Sequence, residues 1–232
     1  MNTNAQDNTT PHKAAHYDVD VKKTVPFYFL FYSQTINLVK SVKPNAKVWL
    51  DTGCGTGSLV KEAFEHFPST LFILADPSRS MLDEAKRKLA SLPPMQIKFL
   101  LPVGTENLEL HDYTTPDIIT AIQCHHYLDV QKRRIATQKC HDMLTDGGIY
   151  ITFENIHPYT TEGVKINSDI WKRYQLSQGR DEKTVDDHLK RFDTIYFPIS
   201  ANAHIELLNE CGFSAVELLW YSNMQAGFYA IK

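Results

Sequence analysis

The 232 residues are 43% hydrophobic and 22% charged, enough apolar material for one α/β domain with a small insertion. A formal net charge of -3, with basic runs no longer than Lys86-Arg87-Lys88 and Lys132-Arg133-Arg134, argues against a nucleic-acid partner, because phosphate neutralisation needs a basic stripe. Four scattered cysteines without metal-ligand spacing, a polar N-terminus without a secretory pattern and no apolar run of membrane length make a reduced, cytoplasmic, metal-free and membrane-free protein the expectation.

Residues 1–16 read as a flexible arm, and residues 17–232 as one domain. Tyr17 to Val42 has aromatic helical periodicity, punctuated by Pro26. Lys47 to Asp51 is a short buried strand that runs straight into Gly53-Cys54-Gly55-Thr56-Gly57, followed by a helix from Ser58 to His66. Thr70 to Ala75 is a second strand ending at Asp76, with a helix from Ser80 to Leu92 after it. Gln96 to Leu101 is a third strand. Beyond Gly104 a short acidic segment leads to the fourth, Asp117 to Ile122. Val130 to Leu144 is a helix, and Ile149 to Phe153 the fifth strand. From 156 to about 198 the strand rhythm stops and a helical, aromatic insertion takes over. Asn202 to Cys211 is a helix closed by Gly212. Ala215 to Tyr221 and Gly227 to Ile231 are joined by a turn too short for a parallel crossover, so they pair antiparallel. Strands alternating with helices predict a mostly parallel, helix-covered sheet.

The glycine loop between the first strand and its helix carries the functional signal. Glycines there let the backbone turn tightly and let a ligand approach it. A dinucleotide site wants G-x-G-x-x-G. Here the third glycine comes one residue early, and Ser58 stands where Gly or Ala belongs. A phosphate-binding P-loop wants a Gly-Lys-Ser/Thr ending that is absent. A plain strand-to-helix turn would not need three alternating glycines.

Asp51-Thr52-Gly53-Cys54-Gly55-Thr56-Gly57 resembles, residue for residue, the [DE]-x-G-x-G-x-G loop of the class I S-adenosylmethionine-dependent methyltransferases. The resemblance implies a Rossmann-like, seven-stranded sheet whose last strand is antiparallel, with a helical lid inserted after strand 5. It implies S-adenosylmethionine as cofactor. In that family the glycines, here Gly53, Gly55 and Gly57 with Cys54 between them, pass under the methionine part, and Asp51 organises the loop and the sulfonium end. Asp76, at the end of the second strand, would meet the ribose hydroxyls. Pro77 follows it, and Met81 would pack on adenine. Gly104-Thr105-Glu106 resembles the loop that reaches the adenine amine, with Thr105 in place of the usual acid. Gln123-Cys124-His125-His126 follows the fourth strand, at the carboxyl-end mouth where ligands bind in open α/β sheets.

Two further segments, Lys23-Thr24-Val25-Pro26-Phe27-Tyr28 and the ending from Cys211-Gly212-Phe213 to Lys232, are similar to the branch that holds the tRNA-modifying carboxy-S-adenosylmethionine synthases. The likeness implies that Tyr28 closes over the cofactor. That branch places an Arg, which pairs with the extra carboxylate, where Leu207 aligns here, so ordinary methyl transfer to a small-molecule N, O or S acceptor is expected. Where the acceptor must lose a proton, His125, His126 and Glu154 are the candidate bases. Tyr159, Trp171, Tyr174, Phe192 and Tyr196 in the insertion suggest a lid over the acceptor, although the insertion's own small core is the slightly stronger reading, since a segment of this length must bury something. The insertion is also a candidate homodimer surface.

Overall fold

The computed structural model describes residue 7 and residues 9–110 and 115–232. Of the arm, residues 1–6 and 8 lie outside the described residues, as does part of the acidic segment, 111–114. Seven strands, β1 (Val48–Thr52), β2 (Leu71–Ala75), β3 (Ile97–Phe99), β4 (Ile118–Ile122), β5 (Ile149–Asn155), β6 (Ala215–Ser222) and β7 (Gln225–Ile231), stand in the order β3-β2-β1-β4-β5-β7-β6. The pairs among β1 to β5 are parallel, and β7 runs antiparallel to both its neighbours. This is the sheet the sequence pattern predicts. The third strand is shorter than the predicted Gln96 to Leu101. It is an edge strand paired only with Phe72–Leu74, and beyond Phe99 the chain turns outward, leaving Leu101 exposed.

The period of two along each strand divides the core in half. Trp49 of β1 and Ile149, Ile151 and Phe153 of β5 join one apolar layer. Leu50 and Tyr150, one residue on, join the other. On the first face lie α1 (Tyr17–Thr24), α2 (Tyr28–Val42), α3 (Ser58–Phe64) and α4 (Arg79–Lys88), with Phe31 stacked on Phe153 at 4.7 Å. On the second lie α5 (Val130–Met143) and α8 (Ala201–Glu210). Between β5 and α8 the chain forms α6 (Thr161–Ser177) and α7 (Glu182–Leu189). Helix starts are set by side chains that accept an otherwise orphaned N–H: Ser78 from Met81, Asp129 from Lys132, Thr160 from Gly163, Asp181 from Thr184 and Ser200 from Ala203. Among the described residues no helix is long and apolar enough to cross a membrane.

Strand order reverses direction at β1, with β2 on one side and β4 on the other. The carboxyl ends of β1 and β4 therefore splay apart and open a crevice there. Every functional side chain discussed below sits at that end.

Candidate active site

The loop after β1 forms the floor of this crevice. Gly53, Gly55 and Gly57 all have positive φ (63°, 53° and 73°), the left-handed backbone that glycine tolerates. A Cβ on Gly53 would fall 2.4 Å from the Cβ of Cys124, so this position also needs glycine for close packing of the β4 loop. A Cβ on Gly55 would meet nothing within 4 Å, because it would enter the open crevice. The Gly55 N–H donates to Asp76 Oδ2 (2.9 Å) and Ser78 N–H to Oδ1 (2.8 Å), which aims the Asp76 carboxylate across the mouth. Burial pushes Asp76 up to about 6 and Asp51, beneath the loop, up to about 7. Asp51 is steadied by one hydrogen bond, donated by Thr120 Oγ1 at 2.7 Å.

The crevice is a cleft of about 590 Å³. Of the predicted cofactor residues, Gly53, Gly55, Asp76, Pro77, Met81, Thr105, Glu106 and Gln123 line it. Thr105 turns its hydroxyl inward to Thr52 Oγ1 (2.6 Å), leaving Glu106 as the acid on that wall. Four predicted residues do not line the cleft. Asp51 and Cys54 are buried beneath it, and Gly57 packs against Ala85, Leu89 and Leu74. Tyr28 is buried with its hydroxyl on Tyr32 (2.6 Å) and on Tyr17. Tyr17, which sequence reasoning passed over, lines the cleft instead, as does Tyr127. Asp7, Thr9 and Thr10 of the arm line it too.

The three predicted catalytic residues come together behind this wall. Residues His125–Tyr127 form one turn of 3-10 helix at the end of β4. Glu154, fully buried on β5, accepts the backbone N–H of His125 (3.1 Å) and of His126 (2.9 Å), the Thr152 hydroxyl (2.9 Å) and His126 Nδ1 (2.7 Å). Burial would raise Glu154, but the His126 hydrogen bond and the imidazoles of His126, His125 and His204 outweigh it and hold Glu154 at about 2. His125 lines the cleft, with Nδ1 on the Tyr150 hydroxyl (3.1 Å), and burial lowers it to about 4. His126 lines a second, much smaller cavity of about 30 Å³ beneath the insertion, with Trp171, His188, Tyr196 and Asn155. Tyr17, Gln123 and Tyr127 line both cavities, so they form the partition between them. Gln123 sits there at φ 57°, a costly conformation for a non-glycine residue that is held by its N–H on Phe153 O (2.6 Å). Of the insertion's aromatics, Trp171 and Tyr196 are buried against the inner cavity, whereas Tyr159 is exposed and bonds Asn202. Leu207 lies on α8 in a separate small pocket with Arg133, Tyr150 and His204.

Residues 50–150 match a protein family described as a methyltransferase domain. The chain is 28% identical over 208 residues to the carboxy-S-adenosyl-L-methionine synthase of Campylobacter lari, covering 88% of this chain and 85% of that one. It is 25% identical to the synthase of Nautilia profundicola, covering 94% and 92%. Among solved structures, an S-adenosylmethionine-dependent methyltransferase from Leishmania major superposes with a TM-score of 0.65 at 20% identity, covering 94% of this chain and 78% of that one. The plantazolicin methyltransferase BpumL, solved with S-adenosylhomocysteine, superposes with a TM-score of 0.69 at 11% identity, covering 94% and 88%. Residues 50–150 thus match a methyltransferase domain, and in sheet order and in the loop that floors the cleft the chain is like the class I S-adenosylmethionine-dependent methyltransferases.

Proposed function

We propose that this enzyme methylates a small-molecule acceptor held beneath the lid of α6 and α7, with His126 receiving the acceptor's proton. The observation that carries the reading is the buried His126–Glu154 pair, whose imidazole lines the inner cavity one partition away from the cofactor cleft. The cleft suits S-adenosylmethionine. Its glycine floor leaves open room at Gly55, and its acids, Asp76 and Glu106, suit hydroxyls and a cationic ligand. Asp76 would hold the ribose, Met81 and Pro77 the adenine, and the Gly53–Gly55 backbone the methionine part. When bound, the cofactor supplies an activated methyl group on a positively charged sulfur.

The protein's own contribution is position and proton handling. Tyr17, Gln123 and Tyr127 orient the acceptor atom at the partition for in-line attack. Glu154 stays ionised. It fixes the tautomer of His126 and stabilises the imidazolium that forms when Nε2 takes a proton. The inner cavity as found holds no more than a water molecule, so an acceptor enters by parting the lid, which then excludes solvent.

Calorimetry against S-adenosylmethionine, S-adenosylhomocysteine and NAD tests the cofactor half. Wild type should bind both sulfur compounds and not NAD, and Gly55→Ala should bind neither. Failure of both sulfur compounds to bind folded, ligand-free protein would end the methyl-transfer reading.

A second reading is favoured by the whole-length similarity to carboxy-S-adenosylmethionine synthases. Against it stands Leu207 where that branch carries an Arg, in a small pocket that shares His125 with the cleft. Mass spectrometry of the cofactor that co-purifies with the protein separates the two. A carboxylated form would decide for the synthase, and unmodified S-adenosylmethionine or S-adenosylhomocysteine for methyl transfer.

A further inference from the structure

A third cavity opens on the outer side of the lid. This groove, of about 540 Å³, is lined by Arg180, Thr184, His188 and Arg191, with Thr10 and Pro11 from the arm. It adjoins the inner cavity, with which it shares His188, Thr10 and Pro11, and Thr10 lines the cofactor cleft as well. The molecule thus has two openings, the cofactor cleft and this groove, with the inner cavity between them.

The two mouths differ in charge. The cofactor cleft carries Asp7, Asp76 and Glu106 and no Arg or Lys. The outer groove carries two guanidiniums. Arg191 donates through Nε to the Tyr196 hydroxyl (3.1 Å), lies 5.4 Å from the centre of that ring, and bonds the Thr9 carbonyl. Arg180 bonds the Gln175 side-chain carbonyl. Neither forms an ion pair with a carboxylate among the described residues. The groove's own acid, Asp187, pairs with Lys190 at 3.0 Å, and Asp20 and Asp181 act on Arg180 only at longer range. A guanidinium offers several N–H donors in a planar fork, so each still has donors to give. In the same lining His188, 4% exposed, has an Nδ1 with no hydrogen-bond partner among the described residues. A buried polar atom left unpaired costs free energy and points to a missing partner.

We infer that the outer groove is the acceptor's port, and that Arg180, Arg191 and His188 together recognise an anionic group, a carboxylate or a phosphate, on the acceptor. The inference rests on the methyl-transfer reading and adds the substrate's charge class to it. Segregation of the two charges gives a cationic cofactor one mouth and an anionic acceptor the other. Burial and the neighbouring Arg180 hold the His188 imidazole neutral, so its ring N–H is available as a neutral donor beside the two guanidiniums.

The test uses the full chain saturated with S-adenosylhomocysteine and the imidazole nitrogen resonances of His188. Inorganic phosphate and malonate are titrated separately. At least one probe should shift His188 saturably, and which one does so tells phosphate from carboxylate recognition. Arg180→Gln and Arg191→Gln should each weaken that binding by about tenfold, the loss of one charge-assisted contact. Affinity for S-adenosylhomocysteine should stay within about twofold. Because Arg191 also holds the arm, Arg191→Lys and thermal melting accompany it. The lysine variant keeps the charge and should recover part of the anion affinity. The inference is overturned if neither probe moves His188, if the arginine variants leave anion affinity unchanged, or if the anion competes with S-adenosylhomocysteine. Competition would assign the guanidiniums to the cofactor's own site. Failure of S-adenosylhomocysteine to bind is read before any anion is added, so collapse of the methyl-transfer reading is seen separately.

Discussion

Asp51 stands on β1 and Asp76 just past the end of β2, both buried, and among the described residues neither has a cation beside it. Burial lifts them to about 7 and about 6, above the usual value of 3.8. A raised acid makes the folded state bind more protons than the unfolded one, so stability falls as pH rises from about 4 to about 7. The cationic sulfur and hydroxyls of the cofactor favour both carboxylates ionised, so affinity should rise over the upper part of that window. Melting curves between about pH 5.5 and pH 8 should therefore show ligand-free wild type losing stability with pH, and Asp51→Asn losing less. Added S-adenosylmethionine should raise the melting temperature more at the upper end. A ligand-induced shift independent of pH would mean that neither carboxylate meets the cofactor.

Glu154 gives the opposite sign. Its folded value of about 2 lies below the ordinary 4.5, so its stabilisation is complete above about pH 4.5 and is lost as pH falls toward 2. Glu154→Gln replaces one of two accepting oxygens by an NH2 set against a backbone N–H, that of His125 or of His126, and should cost about 2–4 kcal/mol in denaturant unfolding. If instead it abolished turnover at undiminished stability, Glu154 would be the proton acceptor and not the group that orients one.

At the scale of elements, the parts legible in the sequence are those whose signal is local. The β1 strand runs into glycines that need positive φ, and the helix starts carry their caps. The β6–β7 turn is too short for any arrangement but antiparallel. What was not legible depends on contacts across the fold. Tyr28 reads as a cofactor residue by its place before β1, yet α2 turns it inward onto Phe31 and Tyr32, and Tyr17 of α1 takes the cleft. The reason is an anchor joining distant segments. Lys88 Nζ binds Asp18 Oδ2 (2.5 Å), Thr56 Oγ1 (2.7 Å) and Ser58 Oγ (2.6 Å), and Asp18 Oδ1 accepts both hydroxyls. This network pins α1 to the end of the glycine loop and so sets where Tyr17 lies. Asp18→Asn should weaken S-adenosylmethionine binding several-fold by calorimetry while moving the melting temperature little, since Asp18 is partly exposed. Equal losses of affinity and stability would reduce the network to ordinary fold support.

Across the whole molecule, the lid is fastened to the same helix. Trp171 of α6, 2% exposed, donates its indole N–H to Thr24 O (2.6 Å), and Tyr174 its hydroxyl to Lys22 O (2.6 Å). Both acceptors are the last carbonyls of α1, whose first turn is held by Lys88 and the glycine loop. Cofactor floor, α1 and lid are thus linked in series by hydrogen bonds, although among the described residues floor and lid have no direct bond between them. Filling the cleft should restrain α1 through Tyr17 and the loop, and a restrained α1 should steady α6 and α7. Backbone hydrogen exchange in α6 and α7 is therefore expected to slow on adding S-adenosylhomocysteine, without any ligand reaching those helices. Trp171→Ala should remove the lid's slowing while leaving that of residues 53–57, and should cost about 3–5 kcal/mol, the range for truncating a buried aromatic. If lid exchange stays unchanged while the glycine loop is protected, the lid opens independently of the cofactor and acceptor binding needs no prior occupancy of the cleft. If lid and loop slow together and Trp171→Ala uncouples them, the cofactor prepares the acceptor site before the acceptor arrives, and α1 is the part that carries the change.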